Sequence, residues 1–148
     1  LQAGVVSGLI MSAYLLFENL RTGRPVWHAA HLFAGALLGP RDFRPQFHAA
    51  TVAGYALLLM GAGLQGLLFG LLVPPRVGML WSANLGIPFA IFSYIVVFRG
   101  LLAHWNPLLL ARGWRASMIL AHFVFGAALA FYPRFYRHLA GLTTDEHP

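Results

Sequence analysis

Residues 49–73 read AATVAGYALLLMGAGLQGLLFGLLV, a run of 25 positions without one charged side chain. At 1.5 Å of rise per residue, about 20 apolar residues cross the hydrocarbon core of a bilayer, so this stretch predicts a transmembrane helix with a turn to spare. Three further runs meet or approach the same criterion. Residues 3–20 are interrupted only near their end by Glu18 and Asn19, residues 77–98 carry no charge, and residues 116–133 enclose His122.

Composition agrees with that reading. The 148 residues are 59% apolar and 9% charged, with a mean hydropathy of +0.69, where a soluble domain carries about 25% charged residues. A soluble globular fold is excluded, and the chain is expected to form one integral domain over 1–148, an all-α membrane protein with four transmembrane helices. It has no cysteine, which excludes disulfides, thiolate metal sites and cysteine nucleophiles. All ten basic residues are Arg, and the formal charge is +6. A nucleic-acid binder would gather that charge on one face. Here the Arg residues flank apolar runs, as they do beside membrane spans, and no nucleic-acid partner is expected. The first run has no basic segment before it and reads as a retained span, in a chain that starts at Leu1 rather than Met.

The connections differ in kind. Residues 73–76 (VPPR) predict a tight hairpin, because two prolines cannot continue a helix. The link from Arg21 to Phe47 holds about 15 mostly apolar residues between Pro25 and Pro40, too few to span. A re-entrant or interfacial helix is expected there, near residues 26–38, with a shorter one near 101–111. Seven Arg residues lie in the links after spans one and three (21, 24, 41, 44, 99, 112 and 115), against Arg76, Arg134 and Arg137 on the other side. The positive-inside rule makes the richer side cytoplasmic and puts both termini on the non-cytoplasmic side.

Lipid gives no hydrophobic drive for helix association, so small residues must permit close approach. Gly66 and Gly70 have GxxxG spacing, as do Gly4 and Gly8, and packing inside the bundle is the expected use, with a self-dimer through these pairs as the alternative. Trp27, Trp105, Trp114, Tyr132 and Tyr136 fall near span ends, where amphipathic rings anchor at headgroup depth. Asn84 and Pro88 suggest a kink in the third span with a polar lining or a packed interior. Phe89, Phe92 and Phe98 of that span are suited to lipid, a partner helix or a carotenoid.

Ionisable groups at membrane depth raise a functional question by default. Glu18 shares a helical face with Gly4, Ser7, Met11 and Tyr14, His48 lies five turns from Gly66, and His122 aligns with Gly126 and Ala130. All three faces are expected to look inward. His48 and His122 are candidate ligands for a haem or for the magnesium of a chlorophyll-type pigment. His28 and His31, at i and i+3, are candidate metal ligands together with Glu18 or His48. The plainer reading is that these imidazoles bond backbone carbonyls or lipid headgroups. Proton or substrate handling by a small oligomeric transporter is a further alternative. No GxSxG, HExxH or Walker loop occurs, and no catalytic constellation is complete.

Four segments, residues 3–12 (AGVVSGLIMS), 27–39 (WHAAHLFAGALLG), 106–109 (NPLL) and 120–129 (LAHFVFGAAL), occur in an order that resembles the small four-span bacterial inner-membrane proteins grouped as YagU-like. The resemblance implies the layout, the bacterial inner membrane and the His122/Gly126 pattern, and no chemistry. The expected function is that of a non-catalytic accessory subunit packed against larger transmembrane subunits and bound lipids, in a respiratory or photosynthetic electron-transfer complex.

Overall fold

A computed structural model of the chain describes residues 1–38, 46–101, 115–139 and 141. Their regular structure is all helical, with no strand among them. Helix α1 covers Gln2–Arg21, α2 His28–Leu38, α3 Ala49–Leu72 and α4 Met79–Tyr94. Helix α4 runs on into a π-helical segment, Ile95–Leu101. Helix α5 covers Arg115–Ala128, and a 3₁₀ turn, Leu129–Phe131, leads into α6, Tyr132–Leu139. Four helical stretches are long and apolar enough to cross a membrane: Gln2–Arg21, Ala49–Leu72, Met79–Phe98 and Ala116–Leu139.

The boundaries follow from local chemistry. Thr22 ends α1, its hydroxyl donating to the Glu18 carbonyl at 2.7 Å, and Gly23 follows at φ +68°, which glycine takes without strain. His48 caps α3 from extended backbone. Its Nδ1 accepts the Ala50 amide at 3.2 Å, while its own amide donates to the Thr51 hydroxyl at 3.2 Å, so two otherwise orphaned donors are satisfied. Pro74 and Pro75 stop α3 as expected.

The fourth apolar helix runs past the expected end at Pro133. A proline in the first turn of α6 lacks only an N–H that needs no partner there, so it does not stop the chain. The helix expected near 26–38 is α2. Most of the short one expected near 101–111 lies outside the described residues, as do Asp42, His104 and His147.

Helix α1 packs between α3 and α5, α4 lies against α5, and α2 lies against α3. Small residues make the seams. A Cβ on Gly4 would come within 2.7 Å of the Gly66 Cα, and one on Gly8 within 2.6 Å of the Ala62 Cβ. Between α4 and α5, a Cβ on Gly126 would come within 2.7 Å of the Ile87 Cα. The expected use of the glycines in bundle packing holds for Gly4, Gly8 and Gly66. Met11, Leu15, Leu58, Phe69, Phe125 and Leu129 fill the core between the seams. Helices α3 and α4 meet through Phe69 and Phe89, 5.3 Å apart, and the Tyr132 hydroxyl donates to the Gly70 and Val73 carbonyls at 3.2 Å. Tyr132 therefore ties α6 to the end of α3, a role beyond interfacial anchoring.

Candidate polar site at one end of the bundle

The sequence-selected polar residues separate into three groups. The first centres on Glu18, which is buried at 7% exposure near the end of α1. Arg21, one turn on, grips both carboxylate oxygens, Nε to Oε2 at 2.7 Å and Nη2 to Oε1 at 2.8 Å. Ser117 of α5 donates to Oε1 at 3.0 Å. A planar guanidinium matches a carboxylate two bonds at a time, so the charge is compensated on the spot. Beside it is a cavity of ≈ 10 Å³ lined by Glu18, Asn19, Arg24, His28 and Ser117 among others, about the space of one water molecule. Glu18 and His28 therefore share a small polar recess, and Arg21 and Ser117 already occupy the carboxylate.

The second group joins α2 to α3. His31 is buried at 3% exposure, and its ring stacks on that of His48 at 4.7 Å and 24°. Its Nε2 is 2.8 Å from the Thr51 hydroxyl, the same hydroxyl that accepts the His48 amide. Burial holds the His31 imidazole below its ordinary value of 6.5, and the neighbouring His48 pushes the same way. His48 keeps its Nδ1 lone pair on the Ala50 amide, so in the neutral ring the proton sits on Nε2, which has no hydrogen-bond partner among the described residues. Stacked rings run their in-plane lone pairs side by side rather than toward one point. Among the described residues, no three His, Asp or Glu side chains converge.

The third group is His122, buried at 4% exposure on α5. Nδ1 is 2.8 Å from the Met118 carbonyl. A carbonyl only accepts, so Nδ1 carries the proton and the neutral ring keeps a lone pair on Nε2, which no hydrogen bond among the described residues engages. Tyr94 and Phe98 pack against the ring at 5.0 and 5.5 Å.

The structure thus brings His31 to His48, and Glu18 to the recess that His28 lines. His48 and His122 sit against different neighbours. Phe89 and Phe98 turn inward, and Phe92 is 66% exposed. Asn84 and Pro88 are both exposed, so they line no interior path. Thr51 and Ser117 went unremarked in the sequence, although both complete these groups. A Thr three residues after His48 is the one local sign, since an N3 side chain can reach back to the cap. Ser117 has none, lying 99 residues from Glu18.

Compared with known protein families, characterised proteins and solved structures, the chain matches none.

Proposed function

We propose that this is an integral membrane protein of the bacterial inner membrane. Its four long helices cross the bilayer, and α2 lies re-entrant or interfacial on the cytoplasmic side. Its role is that of a non-catalytic accessory subunit of a larger membrane assembly, of the respiratory or photosynthetic electron-transfer type. The observation that carries this reading is the asymmetry of burial. Half of the most apolar stretch is buried within the protein for α1 and for α5–α6, against 28% for α3 and 17% for α4. Two of the four helices thus offer most of their apolar surface outward, to lipid and to neighbouring helices. The inward polar groups support the same reading. Glu18, His31 and the Nδ1 of His122 are each engaged in bonds that fasten helices or fix a ring, which is structural work. Extraction in mild detergent followed by sizing tests it. Co-migration with a larger complex is expected, and a self-contained species that conducts ions in liposomes would overturn it.

Insertion and orientation have their own test on this cysteine-free chain. Cysteines replacing Arg76 and Arg134 should label from the outer side and those replacing Arg44 and Arg112 from the cytoplasmic side. Labelling of all four from one side defeats the topology.

A second reading rests on His122. Proteins that ligate a metal through one imidazole nitrogen usually bind the other N–H to a carbonyl or carboxylate, which fixes the ring and raises its basicity. The Met118 carbonyl does that for His122 and leaves Nε2 as the ligating atom for a haem, a metal or a chlorophyll-type pigment. Purified protein would then show a Soret or chlorin band, or stoichiometric metal, lost in His122→Ala. A colourless, metal-free and folded protein ends this reading.

A further inference from the structure

Along α4, the outward face presents Trp81, Asn84, Leu85, Pro88 and Phe92, spaced three and four apart on one stripe. Trp81 is 67% exposed, Leu85 40% and Phe92 66%. Asn84 stands in the middle of this apolar stripe, five residues and about 7.5 Å into the helix from Met79, and its carboxamide makes no hydrogen bond among the described residues. Four residues on, Pro88 has no N–H to give the carbonyl of Asn84, the partner that any other residue would supply. A carboxamide and a main-chain carbonyl are therefore left short of partners at one point on a face turned to lipid, where water cannot satisfy them. Among the described residues, the exposed residues of α1, α3 and α5 between their ends are apolar, as with Val52, Met60, Leu64, Leu67 and Leu71 of α3, and the half-buried Gln65 of α3 keeps its Oε1 inside. Lipid suits those faces as they stand, but it does not suit Asn84.

We propose that the α4 stripe is the contact between two copies of this chain, with Asn84 facing Asn84 across a two-fold axis along the membrane normal. A carboxamide is donor and acceptor at once, so it is its own complement. Two copies inserted with the same topology hold residue 84 at the same depth, and the two-fold axis sets like against like. Each Asn84 amide has two N–H groups. One reaches the partner copy's carboxamide oxygen, and the other reaches the main-chain carbonyl that Pro88 leaves free. Any other transmembrane partner would need a matched donor and acceptor at this depth. A second copy supplies both by symmetry, and does so whether or not a larger complex forms.

Cysteine cross-linking in native membranes tests this on the full chain. Trp81→Cys should yield an oxidised band at twice the chain mass, and Leu64→Cys on the α3 face should not. In the Trp81→Cys background, Asn84→Leu should lower the cross-linked fraction and raise the dissociation constant, read by fluorescence energy transfer on dilution into lipid, by about tenfold. Asn84→Gln keeps the carboxamide and should restore most of the association. Because Asn84 faces outward, Asn84→Leu leaves the fold of the single chain intact, which an unchanged thermal midpoint verifies at a dilution where both proteins are monomeric. The proposal is overturned by a monomer at every dilution, by a dimer indifferent to Asn84→Leu, or by cross-linking of Trp81→Cys to a chain of different mass. Loss of the larger complex with the self-dimer intact would strike the accessory-subunit reading alone.

Discussion

The glycine seams and the polar end of the bundle hold helices together by opposite means. Between α1 and α3, between α4 and α5, and where Gly54 of α3 meets Ala30 of α2, side chains are removed until backbones touch, and the contact is dispersion over a close fit. At the other end, Glu18–Arg21–Ser117 and His31–Thr51–His48 join helices through a few directed bonds between buried polar groups. A seam tolerates no added atom and is indifferent to pH. A bonded cluster tolerates small changes of volume and answers to protonation. The outward face of α4 has neither device complete, and for that reason it reads as unfinished.

The largest effects should come from the seams. A Cβ on Gly54 would collide with the Ala30 carbonyl of α2, so Gly54→Leu should force α2 off α3. Gly126→Val should likewise part α4 from α5. Overpacking of this kind costs about 1–3 kcal/mol and at times more, to be read by denaturant titration in detergent micelles. Gly61 has nothing among the described residues within 4 Å of its Cβ position, so Gly61→Val should change stability by less than about 0.5 kcal/mol. Equal losses at Gly61 and Gly126 would dissolve the distinction between seam and surface.

Next in size is Thr51→Val, which keeps the shape and deletes the hydroxyl shared by His31 and His48. Leaving buried partners unsatisfied costs about 1–2 kcal/mol, and amide exchange should speed up in α2 and the first turn of α3 while the rest of the bundle stays protected. At Glu18 the expected ranking decides more than the size. Arg21→Leu should destabilise more than Ser117→Ala, because Arg21 bonds both carboxylate oxygens and Ser117 only one.

The smallest effect is that of pH. His31 titrates lower in the fold than its ordinary 6.5, so the unfolded chain binds the proton more readily. Its contribution is whole above about pH 6.5 and is lost as pH falls from there toward the depressed folded value. Exchange in α2 should quicken over that window. His31→Gln should flatten the dependence, and a slope unchanged in that variant would place the titrating group elsewhere.

How far the sequence could be read follows the same division. Long charge-free runs reveal helices long and apolar enough to span because the length criterion is physical, and the inward faces of Glu18 and His122 follow from helical spacing. The wheel serves poorly at His48, since an N-cap in extended backbone at φ −157° stands outside the helical repeat. The ring turns to α2 through a contact that no local pattern announces. Asn84 and Pro88 are compatible in sequence with a polar lining or a packed kink, because spacing places residues on a common face without saying which face is outward. On a helix apolar all round, only tertiary packing decides that. Pro133 looked like a terminus until the 3₁₀ turn placed it in the first turn of a new helix.

Ribosomal synthesis gives the Glu18 arrangement a meaning in time. The carboxylate emerges with α1, whereas Ser117 follows 99 residues later, about 5–20 s at ordinary elongation rates. Through that interval Arg21, three positions away, is the partner already at hand. If α1 inserts as proposed, the pair would enter the bilayer as a neutral unit, which spares the cost of an unpaired carboxylate. On the proposed insertion, Arg21 would neutralise the acid before the Ser117 bond of the finished fold can form. Reversing the two residues along α1 would keep the composition and the pairing distance but turn the acid away from α5, separating what insertion requires from what the bundle requires.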